Sequence, residues 1–220
     1  MTRGVRFFLI LGIGLLLLDG ALLLIARMPS ATRGGGNAIS TGTAAIGGPF
    51  TLVTTDGKAV TDETYRGKWL LTYFGYTFCP DACPTTLTNV SIALQTLQGE
   101  ADQIEPLFIT VDPRRDTAAI LAEYLKAFDP RIVGLSGSKD QTNAITKTYR
   151  VFVEPQKAQS DGSYVVDHSS YVYFMDPEGK FVDVIQGITP PAQMAEWLRK
   201  SMRERLTCKE KDMCGIWSQQ

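Results

Sequence analysis

Two cysteines separated by three residues are the first side chains in this sequence that could do chemistry. Cys79 and Cys83 flank Pro80, Asp81 and Ala82, and an apolar run precedes them. At helical spacing, residues four apart lie on one face, so both sulfur atoms can point at one atom. A position near a helix N-terminus lowers the pKa of a thiol from about 8.5, because the helix dipole stabilises the thiolate. Thiolates bind soft metal ions and open disulfides, so the pair indicates one of these two chemistries.

The single histidine of the chain, His168, is the third residue of interest. A lone histidine is more often a packed or surface residue than a ligand, and the sequence leaves that alternative open. If its strand lies beside the one that delivers Cys79, two thiolates and one imidazole converge. Three such ligands leave a structural zinc site incomplete, whereas they suit copper, above all Cu(I). A structural or redox-active disulfide between the two cysteines is the competing interpretation for an oxidising compartment.

The elements on either side of the cysteines follow from hydrophobic periodicity. Residues 68–75 form an aromatic, apolar run that is too short for a buried helix and indicates a central strand. Residues 85–97 repeat apolar side chains at helical intervals, and Pro84 is acceptable in a first turn. The cysteines therefore follow the carboxyl end of a strand, where open α/β sheets hold their sites.

The remaining periodic segments complete an α/β domain. We expect strands over 50–55, 106–111, 132–135, 170–175 and 180–185, and helices over 116–128, 140–149 and 191–206. Turn residues after the first strand and between the last two predict an N-terminal hairpin and a late hairpin. Strands that alternate with helices indicate βαβ units, so the expected fold is a mixed, mainly parallel β-sheet with flanking helices.

A long apolar run over residues 7–26 precedes the domain. Its only charge is Asp19, and at about 1.5 Å per residue it is long enough to span a bilayer as a helix. Because Arg27 follows directly, we expect an uncleaved transmembrane anchor rather than a cleaved signal peptide. The short basic segment 1–6 favours a cytoplasmic tail, which places the domain across the membrane. Residues 27–48, rich in glycine and small polar residues, are expected to form a flexible linker.

Composition narrows the class of protein further. The chain of 220 residues carries 22 basic and 23 acidic side chains, so no summed field attracts nucleic acid. Its length fits the anchor and one domain over residues 49–206. A C-terminal tail over 207–220 contains Cys208 and Cys214, which we expect to pair in a disulfide if the domain is extracytoplasmic. An accessory metal site is the alternative for these two cysteines.

Four motifs in a fixed order give the chain a resemblance to a known family. They are YFGYTFCPDACP at 73–84, LFITVDPRRDT at 107–117, VDH at 166–168 and FMDPEG at 174–179. Together they resemble the Sco/SenC copper-chaperone family over roughly residues 49–206. The resemblance implies a thioredoxin-like fold, one N-terminal membrane helix, and copper ligands at Cys79, Cys83 and His168. The thiolate ligands favour Cu(I) as the bound ion, with Cu(II) as the alternative.

The same resemblance implies a role, partners and a location. Copper would be delivered to the binuclear copper site of cytochrome c oxidase subunit II, or the thiols of that site kept reduced. A copper-donating chaperone and a thiol reductant are the further partners that this role calls for. The family works in the periplasm or the mitochondrial intermembrane space. No Arg- and Ser-rich presequence comes before residue 7, which favours a bacterial inner membrane over a mitochondrial one.

A thiol-disulfide oxidoreductase is the rival function for the same residues, and a peroxidase-like thiol enzyme is the third alternative. In the oxidoreductase, Cys79 attacks a partner disulfide, Cys83 resolves the mixed disulfide, and His168 only tunes acidity. Generic thioredoxins have two residues between their cysteines, and this chain has three. A metallochaperone would turn over no substrate and would not be an enzyme. Asp167 is a candidate to orient His168, with a solvated turn carboxylate as the alternative.

Overall fold

The computed structural model describes residues 46–210 of the chain, and for residues 208–210 it describes the backbone alone. All of them belong to one unit, Thr41–Gln220. The expected anchor over 7–26, the segment 1–6, most of the expected linker and Cys214 of the expected tail disulfide lie outside the described residues. The backbone of Cys208 lies inside them, because the last helix continues to Glu210 and includes the first residues of the expected tail. Among the helices of the described part, none is long and apolar enough to cross a membrane.

The described residues form nine strands and four α-helices. In chain order they are β1 (Thr51–Thr54), β2 (Ala59–Thr61), β3 (Trp69–Gly75), α1 (Ala82–Leu97), β4 (Ile104–Thr110), α2 (Ala118–Leu125), β5 (Val133–Ser136), α3 (Lys139–Thr148), β6 (Val153–Pro155), β7 (Val166–His168), β8 (Tyr171–Met175), β9 (Phe181–Gln186) and α4 (Pro191–Glu210). Every strand and helix expected from periodicity is present, including both hairpins.

Seven strands form one mixed sheet in the order β2-β1-β5-β4-β3-β8-β9. The three central strands β5, β4 and β3 run parallel, and the other neighbours in the sheet pair antiparallel. β3 pairs with β4 from Trp69 opposite Ile104 to Gly75 opposite Thr110, so both strands end at the same edge. This edge carries the cysteines. The expected mixed sheet with flanking helices is confirmed, but the prediction that it is mainly parallel is wrong, because both hairpins and the β1–β5 and β3–β8 pairs are antiparallel, which makes four of its six neighbouring pairs antiparallel.

The hydrophobic core packs on both faces of β3. Every residue of this strand is buried, and Tyr73 and Phe74 point to opposite faces with 1% and 0% of their surface exposed. The indole of Trp69 stacks on Phe174 of β8 with 5.0 Å between the ring centroids. Burial on both faces explains why this strand reads as a continuous apolar run rather than as an alternating pattern.

The folded unit also includes the end of the segment expected to be a linker. Ile46 packs against the core, and the Gly47 amide donates a hydrogen bond to the Thr148 carbonyl at 3.1 Å. The backbone is therefore held against the domain from about five residues before the first strand.

Two helices begin elsewhere than the periodicity indicates. Helix α1 begins at Ala82, so Cys83 lies in its first turn while Cys79 lies in the loop before it. The prediction that both cysteines occupy one helical face is therefore wrong. Helix α2 begins at Ala118, because the Thr117 hydroxyl caps it by accepting a hydrogen bond from the Ile120 amide at 3.3 Å.

A two-stranded ribbon that the sequence did not predict carries the histidine. β6 and β7 pair antiparallel with each other and stand apart from the main sheet, with Val153 opposite His168. Each strand has three residues, which is too short to produce a recognisable alternation. His168 ends β7, and Ser169 and Ser170 lead directly into β8.

Replacement of Gly75 by alanine tests how closely the end of β3 packs against the cysteine helix. A Cβ at this position would lie 2.8 Å from Cys83 Sγ and 2.8 Å from a ring carbon of Phe108. We expect Gly75→Ala to lower the free energy of unfolding by about 1–3 kcal/mol, as overpacking does. Urea denaturation of the full chain measures the change. Gly99→Ala is the matched control, because nothing lies within 4 Å of its Cβ position; equal effects of the two substitutions would contradict the packing argument.

Candidate metal centre

The two cysteines are held by the turn that joins β3 to α1. The Cys79 amide donates to the Tyr76 carbonyl at 3.2 Å, which closes the loop after the strand. The Cys83 amide, in the first turn of α1, donates to Cys79 Sγ at 3.4 Å. Cys79 is half-buried, Cys83 is fully buried, and neither forms a disulfide. Cys79 therefore receives a helix N-terminal amide, the group that stabilises a thiolate at such a position.

His168 reaches the cysteines from the ribbon. Its Nε2 lies 3.5 Å from Cys83 Sγ, and its Nδ1 lies 3.0 Å from the Ser169 carbonyl oxygen. A carbonyl oxygen can only accept a hydrogen bond, so the proton of the neutral ring is on Nδ1. The lone pair on Nε2 is then available on the side of the sulfur atoms. This is the tautomer in which the imidazole can act as a ligand through Nε2.

Asp167 does not orient the imidazole. Its carboxylate accepts a hydrogen bond from Gln156 Nε2, on the other side of the ribbon pairing, at 2.7 Å. The carboxylate therefore contacts Gln156 and not the His168 ring. The Ser169 carbonyl takes the orienting role that the sequence offered to Asp167, and a backbone group leaves no signal in a sequence.

The three candidate ligand atoms lie close enough together to share one ion. The two sulfur atoms of Cys79 and Cys83 and a ring nitrogen of His168 all lie within 4.8 Å of one another. Thiolates and imidazoles bind metal ions at roughly 2.0–2.3 Å, so three of them around one ion lie roughly 3.5–4 Å apart. Side-chain shifts of less than about 1 Å would bring the atoms to those separations. The sequence analysis made convergence of the three side chains depend on where the strand of His168 lies. In the structure the three side chains do converge.

The two thiols have opposite pKa shifts. A hydrogen bond from the Cys83 thiol, helped by backbone amides, lowers the pKa of Cys79 to about 4, against the opposing effect of burial. Hydrogen bonding to Cys79, burial and the charge on Cys79 raise the pKa of Cys83. The pair therefore carries one thiolate and one thiol at neutral pH. Binding of a soft cation to both sulfurs releases the remaining proton.

Two tyrosine rings enclose the site on the side of the sheet. The Tyr73 hydroxyl donates to Cys83 Sγ at 3.6 Å, and burial raises the pKa of this phenol, which keeps it protonated as a donor. The ring of Tyr73 meets the His168 ring edge-on at 6.2 Å, and Tyr76 does so at 5.8 Å. These contacts restrict the rotation of the imidazole.

Asp116 supports the cysteine loop from below, a role that sequence reasoning missed. Its carboxylate is fully buried and accepts hydrogen bonds from the Thr77 amide at 3.1 Å, the Thr77 hydroxyl at 2.6 Å and the Thr110 hydroxyl at 2.6 Å. Burial raises the pKa of this carboxyl group. Asp116 was expected in the first turn of a helix. Recognition of Thr117 as the helix cap would have moved Asp116 to the sheet edge.

The sequence that forms this site matches a known protein family. The family model described as SCO1/SenC matches residues 39–203, which is most of the chain. The chain belongs to the SCO1/SenC family. Its fold is the thioredoxin-like α/β fold that the resemblance implied, with a central sheet and flanking helices.

Several SCO1/SenC relatives align with the chain over different shares of their length. Protein SCO1 homolog 1 of Arabidopsis thaliana, a mitochondrial protein, is 43% identical over 144 residues, which are 65% of this chain and 43% of that protein. The mitochondrial SCO1 homolog of Mus musculus is 37% identical over 169 residues, or 76% and 60%. The SCO2-like protein of Rickettsia felis is 35% identical over 192 residues, or 87% and 92%. The chain thus spans about half the length of the mitochondrial relatives that it matches.

Solved structures of SCO1/SenC relatives have the same domain. ScoI of Bradyrhizobium japonicum, solved with copper bound, has a TM-score of 0.67 and 42% identity, covering 71% of this chain and 99% of that one. ScoI of Arabidopsis thaliana, also solved with copper bound, has a TM-score of 0.69 and 38% identity, covering 73% and 99%.

Proposed function

We propose that this chain is a copper metallochaperone that binds the ion through Cys79, Cys83 and His168. One observation carries the proposal: His168 Nε2 lies 3.5 Å from Cys83 Sγ while Nδ1 lies on a backbone carbonyl. An imidazole that only tuned thiol acidity would not need this tautomer. The two relatives that were solved with copper bound support the same ion here.

The donor set suits copper in both of its common oxidation states. Two thiolates select Cu(I), and the imidazole adds a ligand that Cu(II) also accepts. The set has three protein ligands, which leaves room for a ligand from a partner protein. Copper is therefore cargo that the chain holds and passes on, and the proposed function is binding and transfer without turnover of a substrate.

Differences in exposure between the ligands suggest the order of transfer. Cys79 is half-buried, whereas Cys83 has no exposed surface. A ligand from a partner protein can reach the ion on the more exposed Cys79 side first. The buried Cys83 is then the last ligand of this chain to dissociate from the ion. We propose that the recipient is the binuclear copper site of cytochrome c oxidase subunit II. The family to which the chain belongs supports this recipient. A copper-donating chaperone and a thiol reductant are the other proposed partners, because a disulfide between the cysteines would remove both thiolates.

A thiol-disulfide oxidoreductase remains the second candidate function, and one observation favours it. The lowered pKa of Cys79 makes this sulfur a thiolate at neutral pH, as an attacking thiol requires. Cys83, protonated and adjacent, would resolve the mixed disulfide. This chemistry has no need of His168, which separates the two candidates.

Substitution of His168 distinguishes a copper carrier from a thiol reductase. We expect His168→Ala to lower the affinity for Cu(II) by more than the roughly 10- to 100-fold that is lost when a supporting partner of a ligand is removed. The rate of exchange with a model disulfide should stay within about threefold, because the thiols remain. Copper titration of the reduced, full chain and a disulfide exchange assay measure the two effects.

Asp167→Ala is the matched control for His168→Ala. It alters the neighbouring residue, whose carboxylate contacts Gln156 rather than the imidazole, so both copper affinity and exchange rate should be unchanged. Copper binding that survives both His168→Ala and Cys79→Ala would show that the ligand assignment is wrong.

Delivery to subunit II is tested by copper transfer between purified proteins. We expect the copper-loaded chain, mixed with the copper-free soluble domain of subunit II, to lose copper to that domain. Separation of the two proteins followed by atomic absorption measures the copper in each. A recipient whose copper ligands are replaced should stay empty. Retention of copper by the chain at every ratio of recipient would contradict this recipient.

We propose that residues 7–26 anchor the chain in a bacterial inner membrane, with the domain in the periplasm. Residues 1–6 would be the cytoplasmic tail and residues 27–45 a linker. The apolar run and its basic flank support this placement. The relative from Rickettsia felis supports a bacterial source. The mitochondrial inner membrane, with the domain facing the intermembrane space, is the alternative that the mitochondrial relatives support.

Alkaline carbonate extraction of membranes tests the anchor. The full chain should stay in the membrane pellet, and deletion of residues 7–26 should move it to the supernatant, because the apolar segment is then gone. Deletion of residues 30–40, in the expected linker, is the control and should leave the chain in the pellet. Release of the full chain by carbonate would contradict an integral anchor.

A further inference from the structure

The histidine of the centre lies on an element that the main sheet does not hold. β6 and β7 pair only with each other in the described part of the chain, and a two-stranded ribbon is at best marginally stable by itself. On one side the ribbon continues through Ser169 into β8. Contacts from other elements must fix the rest of it, and they decide how far His168 stays from the sulfur atoms.

The guanidinium of Arg115, in the loop between β4 and α2, makes the central contact with the segment leading into β7. Its Nη1 donates to the Tyr164 carbonyl at 2.8 Å, and its carbon Cζ lies 3.7 Å from the centroid of the Tyr164 ring. The Asp112 carboxylate accepts hydrogen bonds from Arg115 Nε and, at 2.8 Å, from the Tyr164 hydroxyl. Three groups from two segments thus form one closed set of hydrogen bonds.

The same guanidinium contacts the loop that carries the cysteines. Its Cζ lies 4.9 Å from the ring centroid of Phe78, the residue before Cys79, and 5.4 Å from that of Tyr76. The Tyr76 carbonyl holds the Cys79 amide, and the Tyr76 hydroxyl accepts a hydrogen bond from the Val166 amide of β7 at 3.2 Å. Arg115 therefore touches both of the segments from which the three candidate ligands come.

We infer that Arg115 is a positioning residue that holds His168 against the two cysteines. This inference rests on the proposed function. Without the guanidinium, the ribbon keeps the hydrogen bond from Val166 to Tyr76 but loses the link that runs from Tyr164 through Arg115 to Phe78, so the imidazole is less often within reach of the ion. The two sulfur atoms stay in place, because β3, α1 and Asp116 hold them independently of the ribbon.

A lysine cannot replace Arg115 in this role. The guanidinium is planar, so aromatic rings can stack on it while its edge donates to an acid and to a carbonyl. The side chain is 18% exposed and its partner Asp112 is 7% exposed, so the pair is largely removed from water. Among the described residues Nη2 has no hydrogen-bond partner, and the aromatic rings surround the guanidinium instead. The ammonium group of a lysine is a compact charge without a planar face, so aromatic rings could not stack on it.

A double-mutant cycle with His168 tests the inference in the full chain. We expect Arg115→Gln to lower Cu(II) affinity about 10- to 100-fold, the range for a residue that supports a ligand. In a His168→Ala background the same substitution should change affinity by less than about twofold, because the effect acts through the imidazole. Arg115→Lys should behave like Arg115→Gln. The nitrogen hyperfine coupling in the Cu(II) electron paramagnetic resonance spectrum should weaken in Arg115→Gln and in Arg115→Lys.

Arg114→Gln is the matched control for the cycle. Arg114 is the exposed neighbour of Arg115, and its guanidinium carbon lies 5.2 Å from the centroid of the Tyr164 ring. Copper affinity should change by less than about twofold. An equal loss of affinity in Arg115→Gln with and without His168 would overturn the inference, since the substitution would then act on the whole fold. No loss in Arg115→Gln would overturn it as well.

A readout without copper separates this inference from the proposed function. In the full chain, the nuclear Overhauser effect between the His168 and Tyr76 rings, which lie 5.8 Å apart, should be present. It should be lost in Arg115→Gln and kept in Arg114→Gln. Persistence of the effect in Arg115→Gln would overturn the inference, whether or not the chain binds copper. If Arg115→Gln does not fold, Tyr164→Leu removes the stacked ring from the ribbon side and should give the same loss.

Discussion

The hydrogen bond between His168 Nδ1 and the Ser169 carbonyl decides what this site can do. It places the ring proton away from the cysteines, so the nitrogen that faces them has a lone pair. Without it, the same three side chains would form a hydrogen-bonded thiol site. With it, they form two sulfur donors and one nitrogen donor around a common point. The remaining features of the structure keep these three atoms within reach of one another.

Two kinds of structure share that task. The cysteines follow β3, which is paired on both sides and buried along its length, and the Asp116 carboxylate fixes their loop to the end of β4. This half of the site is rigid because the sheet and the core define it. The histidine half is a short ribbon whose position depends on side-chain contacts. A centre made of one fixed half and one adjustable half can hold an ion and still open to release it.

The electrostatics of the cysteine pair fit both candidate functions. Stabilisation of the Cys79 thiolate by Cys83 and by helix amides prepares the site for a soft cation and for attack on a disulfide. The thiols alone therefore do not distinguish a metal carrier from a reductase. The imidazole does, because it adds a third donor that exchange chemistry does not use. The family membership of the chain and its position among copper-bound relatives agree with the metal.

The sequence by itself determined the elements and the chemistry that lie close together along the chain. Hydrophobic periodicity located the strands and helices, and the spacing of Cys79 and Cys83 indicated a shared ligand or partner, because these are local properties. Tertiary structure alone decided that His168 reaches them, although it lies 85 positions after Cys83 in the chain. It also decided that a backbone carbonyl orients the imidazole, that Asp116 holds the cysteine loop to β4, and that Arg115 contacts both halves of the site. The roles of the three-residue strands, the buried Asp116 carboxylate and the stacked Arg115 guanidinium depend on residues far away in the sequence. No local sequence pattern therefore predicts them.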